Sequence, residues 1–248
     1  MGSRPESAPG AYGTIRAIVF DFDGLIIASE TNAVRSWQDL YARFGHELPL
    51  DKWATLIGTW DAEWNPGVEL AERVGNGHDW EAIERERRAD ELAGAWQLPA
   101  LPGVVDRLDD AARLGLPLAI ASSSDREWVV GHLERLGIAG RFSAIVTRDD
   151  VARTKPDPEL FTRAVEALEV APERAVAIED SIHGVVAAKS AGMRCVAVPN
   201  PLLADADYSA ADLVTDSLAA CTLEEIIERL GREQNRYPSC PPTVLPIV

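Results

Sequence analysis

Asp21-Phe22-Asp23-Gly24 sets two carboxylates two residues apart at the end of an apolar run, Ile15–Phe20. If the run continues as a strand, a period of two puts both side chains on one face. Like charges crowded at the end of a buried strand are costly unless a cation joins them. A hard cation with oxygen ligands suits such a pair. Three more polar groups follow later apolar runs. Ser122-Ser123-Ser124-Asp125 comes after Leu118–Ala121 and opens a helical pattern. Hydroxyls and free N–H groups at a helix start suit an anion. Lys155 comes after Ala144–Thr147, and the only other lysines are Lys52 and Lys189. A compact ammonium can neutralise a phosphoryl oxygen as a point charge. Glu179-Asp180-Ser181 comes after Ala175–Ile178 and completes a carboxylate set for Mg²⁺. A nucleophilic carboxylate, hydroxyls, one cation and a metal pair are the parts phosphoryl transfer needs.

These groups act together only if the runs that carry them are neighbours. Six short apolar runs, Ile15–Phe20, Leu118–Ala121, Ala144–Thr147, Ala175–Ile178, Cys195–Val198 and Asp212–Val214, alternate with helical patterns. Apolar runs without polar alternation suit parallel strands covered on both faces. Val104–Leu114 and Leu160–Leu168 carry apolar residues at helical spacing. Asp157-Pro158 is expected to open the second of these as N-cap and first helical residue. The alternation predicts an α/β fold, a doubly wound parallel sheet. In such sheets ligands bind beyond the carboxyl ends of the strands, where the polar groups stand.

One stretch breaks the rhythm. Residues 31–98 show no strand pattern, and a connection of that length is expected to be a folded insert. Six of the seven tryptophans, at 37, 53, 60, 64, 80 and 96, fall in it. Aromatic residues in a small helical domain are ordinarily core. Trp60 and Trp64, in the polar Gly58-Thr-Trp-Asp-Ala-Glu-Trp-Asn-Pro-Gly67 stretch, are candidates for a substrate-facing loop. Arg126, just after the serine run, is a candidate holder for a second anionic group, and Ser124 a candidate substrate contact. The expected organisation is a tail over 1–13, a core over 14–30 and 99–231, a helical insert over 31–98 and an irregular tail over 232–248.

The segments DFDGL, SSS, KPDPELF and IEDSIHGVVAAKSAGM, in that order, resemble the four motifs of the haloacid dehalogenase-like superfamily. The helical insert resembles that family's C1 cap. The nearest branch looks like the β-phosphoglucomutase and phosphoglycolate phosphatase-like hydrolases. The resemblance implies Asp21 as nucleophile, and Asp23 as general acid/base and backbone metal ligand. It implies Ser122, with Ser123, and Lys155 as phosphate holders, Asp180 and Glu179 as the metal pair with Asp21, and Mg²⁺ as cofactor. It points to hydrolysis of a small phosphate monoester through an aspartyl-phosphate. The alternatives are a sugar phosphomutase and a phosphate-binding protein with weak turnover. Two departures bear on these. Ala28-Ser29-Glu30 replaces a common Asp-Ser-Glu or Asp-Thr-Glu triplet, leaving Ser29 to cap the next helix. Ala33 stands where the mutase branch tends to carry a histidine, which weakens the mutase alternative.

Composition narrows the rest. The chain of 248 residues is 46% hydrophobic and carries a formal net charge of −16. So acidic a surface repels nucleic acid and anionic membranes, leaving a small phosphorylated metabolite as the expected partner. Cys195, Cys221 and Cys240 are too few and scattered for a disulfide framework or a zinc site. No apolar run is long enough to cross a membrane, and cytoplasmic residence is the expectation.

Overall fold

Strand β1 (Ala17–Phe20) is followed by helices α1 (Ser29–Arg43), α2 (Leu50–Trp53), α3 (Pro66–Val74), α4 (Trp80–Ala95) and α5 (Val104–Leu114) before strand β2 (Leu118–Ala121). The order then alternates: α6 (Arg126–Arg135), β3 (Ala144–Val146), α7 (Glu159–Ala167), β4 (Ala175–Glu179), α8 (Ile182–Ser190), β5 (Arg194–Ala197), β6 (Leu213–Val214) and α9 (Leu223–Gly231). The computed structural model describes residues 15–58, 63–75, 77–203 and 205–231. Both expected tails, Cys240 and Trp60 lie outside them.

The strands form one six-stranded sheet in the order β3-β2-β1-β4-β5-β6, and every pair is parallel. The order reverses direction between β1 and β4, which opens a crevice at their carboxyl ends. Alternation along each strand sorts side chains to two faces. Ala17, Val19, Ala119, Ala121, Ala175 and Ala177 turn to the side covered by α7 and α8. Ile18, Phe20, Ile120, Val176 and Ile178 turn to the side covered by α5, α6 and α9. One face is thus lined with small residues and the other with large ones. Burying each Ile or Phe in this way contributes about 1.5–3 kcal/mol.

Among the described residues no strand falls between 31 and 98, so the insert is helical. Trp37, Leu40 and Tyr41 of α1 form its buried stripe, and the Arg87 guanidinium of α4 lies 3.9 Å from the Trp37 ring centroid. Ion pairs to Glu84 and Glu91 compensate the nearly complete burial of Arg87. No described helix is long and apolar enough to cross a membrane.

Two helix starts differ from expectation. α7 begins at Glu159, with Pro158 in the cap position rather than the first turn. The Asp157 side chain still accepts from the Glu159 N–H at 3.0 Å, as a turn over two residues. α1 begins at Ser29 after Ala28, with no side-chain cap. The Ser29 hydroxyl is turned instead to Asp23.

Candidate active site

Register brings the strand ends level. Phe20 pairs with Ile120 on one side and Ile178 on the other, and the Asp21 N–H donates to the Ile178 carbonyl at 2.9 Å. Asp21, Ser122, Glu179 and Asp180 therefore share one edge of the sheet, and all four are buried. Carboxylate oxygens of Asp21, Glu179 and Asp180 lie within 4.8 Å of one another.

Lys155, in the segment between β3 and α7, reaches under this edge with 1% of its surface exposed. Its ammonium donates to Asp21 Oδ1 and, at 2.5 Å, to Glu179 Oε1. The other Glu179 oxygen accepts from the Ser181 N–H at 2.9 Å and the Ser181 hydroxyl at 3.0 Å. Both Glu179 oxygens are thus engaged in bracing Lys155 and the start of α8. Asp180 is held from the far side, where Asn200 donates to Oδ2 at 2.7 Å and the Tyr208 hydroxyl donates to its carbonyl at 2.6 Å. Two glycines make room. A Cβ on Gly184 would sit 1.8 Å from the Glu179 carboxylate, and one on Gly24, at φ +80°, 1.9 Å from Asp180 Oδ2.

Three carboxylates against one ammonium leave the cluster short of positive charge. Burial pushes Asp21 up to about 8, against the opposing pull of Lys155 and with repulsion from Glu179 and Asp23 adding to it. Burial likewise raises Asp180 well above the usual carboxylate range, with Asp21 and Glu179 adding repulsion. Lys155 is raised because the attraction of Asp21 and Glu179 outweighs its desolvation. A divalent cation beside Asp21 and Asp180 fits this imbalance, since its charge offsets the burial and repulsion that disfavour their ionised forms.

Asp23 stands apart from that cluster. Its Oδ1 accepts from the Ser29 hydroxyl at 2.7 Å and the Trp128 indole N–H at 2.9 Å, and its Oδ2 from the Ser124 hydroxyl at 2.6 Å. The two carboxylates do not face one ion as a continued strand requires, because β1 ends at Phe20 and the chain turns at Gly24. Glu30 stands in the first turn of α1. Desolvation pushes it up to about 8, and Asp23, Asp21 and Glu91 repel its charge.

The serine run divides its work. Ser122 is fully buried and its Oγ accepts from the Ser124 N–H at 3.0 Å. The Ser123 hydroxyl donates to the Gly58 carbonyl of the insert at 3.3 Å. The helix starts slightly later than the run suggests, with Asp125 as the cap of α6. Gly58, at φ +82°, lies against Ser181, and the neighbouring Ile57 carbonyl is 2.9 Å from His183 Nδ1. The insert thus touches the core at the mouth of the crevice.

Two substrate candidates have partners within the protein. The Arg126 guanidinium pairs with Asp150 at 2.7 Å and donates to the Ile145 carbonyl at 3.0 Å. Asp150 and the end of β3 thus hold the guanidinium in this structure. The Trp64 indole donates to Glu69, and its half-buried ring packs against the hydrophobic cluster of the insert. The sequence assigns no role to Ser181, Asn200, Tyr208 or Trp128, which the structure brings to the site. Asn200 follows β5, and the same search beyond strand ends finds it. Trp128 carries no such signal.

The sequence matches the haloacid dehalogenase-like hydrolase family over residues 18–198. YhcW of Bacillus subtilis is 39% identical over 222 residues, spanning 88% of this chain and 99% of YhcW. Validoxylamine A 7′-phosphate phosphatase of Streptomyces hygroscopicus subsp. limoneus is 31% identical over 211 residues, spanning 80% of this chain and 94% of its own. The crystal structure of a mutant of CbbY from Rhodobacter sphaeroides in complex with xylulose-1,5-bisphosphate superposes with a TM-score of 0.62 at 28% identity. It spans 83% of this chain and 95% of CbbY.

Proposed function

From the premise that this chain belongs to the haloacid dehalogenase-like hydrolases, in the branch of phosphatases and β-phosphoglucomutase-like proteins, we propose that it hydrolyses a small sugar-phosphate-like monoester through phosphorylated Asp21. The broader statement, that it is a phosphoric monoester hydrolase, follows from its phosphatase relatives. The observation that carries the reading is the buried Lys155 ammonium bonded to both Asp21 and Glu179, beside Asp180.

An Asp21 oxygen attacks phosphorus, and the bond from phosphorus to the ester oxygen breaks. Asp23 gives its proton to the departing alcohol. It then takes a proton from water, whose oxygen attacks the acyl phosphate. The phosphorus–oxygen bond to Asp21 breaks, inorganic phosphate leaves and both carboxyls return to their starting state. Lys155 and Ser122 supply positive charge and a hydroxyl to the phosphoryl oxygens. Asp21, Asp180 and the Asp23 carbonyl would hold Mg²⁺, with Glu179 and Ser123 supporting the loops around it. The ion supplies Lewis-acid shielding between an anionic nucleophile and an anionic ester. A cytoplasmic setting fits Cys195 and Cys221, both buried as free thiols.

The test is phosphate release from a panel of sugar, polyol and nucleoside monophosphates with and without Mg²⁺. Wild type turns over only with the metal, and Asp21→Asn loses at least about 10³-fold. Acid quenching with a labelled phosphate donor leaves label on wild type that hydroxylamine removes. An Asp21→Asn protein that keeps full activity ends the proposal. Isomer formation that outpaces phosphate release replaces it with the mutase reading.

A further inference from the structure

The Asp23 carboxylate is where α1, the loop after β2 and α6 meet, and one of its contacts has no place in the chemistry above. The Trp128 indole N–H donates to Oδ1 at 2.9 Å. Trp128 stands in the first turn of α6, where its own backbone N–H is capped by Asp125 at 2.8 Å. One turn on, the buried His132 ring lies 4.3 Å from the Trp128 ring, edge to face. His132 also touches Trp96, at 4.6 Å, and Phe22, at 6.1 Å. Trp96 ends α4 of the insert and lies down on α6 over Gly131, where a Cβ would come within 2.8 Å of its ring. Arg135 then ties α6 to the Leu98 carbonyl just beyond. A continuous aromatic stack thus runs from the exit of the insert to the carboxylate.

We propose that Trp128 is a positioning residue for Asp23, its indole N–H braced by His132 and Trp96 so that the carboxyl group faces the departing oxygen in one orientation. The proposal rests on the general acid/base assignment of Asp23 made above. Its chemical basis is the one-way character of the donor. An indole N–H donates and never accepts, and neither gives up nor takes a proton in this range. Ser29 and Ser124 can rotate and exchange donor for acceptor roles. Oδ1, bonded to Trp128, therefore stays an acceptor, and Oδ2, facing Ser124, is the oxygen left to carry the proton. Small errors in such an orientation are costly for a transfer that needs the donor within hydrogen-bond reach.

The experiment compares leaving groups in the full chain with Mg²⁺. A p-nitrophenolate leaves without a proton, whereas an alkyl alkoxide needs one. Trp128→Phe keeps the ring and removes the N–H. Its kcat/KM on the best alkyl phosphate of the panel should fall about tenfold, and that on p-nitrophenyl phosphate should stay within about twofold. Asp23→Ala is the control and shows the same bias more strongly. If Asp23→Ala shows no bias between the two substrates, the assignment of Asp23 fails, whatever Trp128 does. If Asp23→Ala shows it and Trp128→Phe loses both activities equally or neither, the positioning role is overturned. A second measurement does not need the Trp128 variant to fold. In ¹⁵N-labelled protein, Asp23→Asn should move the Trp128 indole signal upfield more than any of the other six tryptophans. An unmoved Trp128 signal overturns the proposal.

Discussion

Asp21 and Asp23 are two residues apart and live in unlike surroundings. The floor of the site, around Asp21, is ionic: three buried carboxylates gather about one buried ammonium. The rim, around Asp23, is neutral: two hydroxyls and an indole donate to a carboxylate that no ammonium or guanidinium approaches within ion-pair distance among the described residues. Environment thus divides labour between identical side chains. On the proposed mechanism, a carboxylate beside a lysine and a metal stays ionised for attack. One held only by neutral donors has no ion pair to break when it exchanges a proton with the substrate. The contrast also sets what each region tolerates. Removing a charge from the floor unbalances every neighbour, whereas removing a donor from the rim costs one hydrogen bond.

The widest gap between the regions is expected at Lys155. Lys155→Met should lower phosphate release by about 10²-fold or more, since on the proposed mechanism it removes the fixed cation that serves the phosphoryl oxygens. It should also destabilise the metal-free protein by about 3–5 kcal/mol, because Asp21 and Glu179 lose a buried partner. Denaturant unfolding in a chelator measures this, and Mg²⁺ should recover part of the loss. Unchanged unfolding in the chelator would mean the ammonium is not the counter-charge of the floor.

Metal response sharpens the comparison next. Mg²⁺ at about a hundred times its Kd stabilises a protein that binds it only when folded by about 2.7 kcal/mol. Asp180→Asn should abolish most of that gain. In the chelator the same variant should be more stable than wild type, by about 1 kcal/mol, because one of three crowded carboxylates is gone. Ser124→Ala, at the rim, should cost about 1 kcal/mol with or without Mg²⁺. If Ser124→Ala weakened the Mg²⁺ effect as much as Asp180→Asn, the two regions would be one.

The same contrast explains what could be read before any coordinates. The floor is built from charged residues that follow apolar runs, and a charge at a buried strand end has few bland explanations. Asp21, Lys155, Glu179 and Asp180 declare themselves for that reason, as do the six strands, whose β-branched runs stand clear of the helical patterns. The rim is made of residues with ordinary alternatives. A serine in the first turn of a helix reads as a cap, yet Ser29 turns its hydroxyl to Asp23. A tryptophan near a serine run reads as core, and Trp128 differs only in where its N–H points. Arg126 shows the opposite limit: its charge suggests an anion, and Asp150, distant in sequence, pairs with its guanidinium in space. Sequence proximity carries strand-end chemistry well and side-chain direction poorly.

Two glycines test the contrast with almost no change in chemistry. Gly184→Ala would put a methyl 1.8 Å from the Glu179 carboxylate, which is fully buried and held by Lys155 and Ser181 on its two oxygens. Nothing there can yield without breaking an ionic contact, so the variant should lose about 1–3 kcal/mol and a share of activity. Gly131→Ala meets the far edge of the Trp96 ring at 2.8 Å, but that residue is 43% exposed and can swing toward water. The added methyl also favours the helix by about 0.5–1 kcal/mol, which offsets much of the lost packing. Unfolding of Gly131→Ala should therefore stay within about 0.5 kcal/mol of wild type, with Trp96 more solvent-exposed by fluorescence quenching. A large loss at Gly131 would show that the aromatic brace is as rigid as the ionic floor, and that the rim tolerates as little as the residues beneath it.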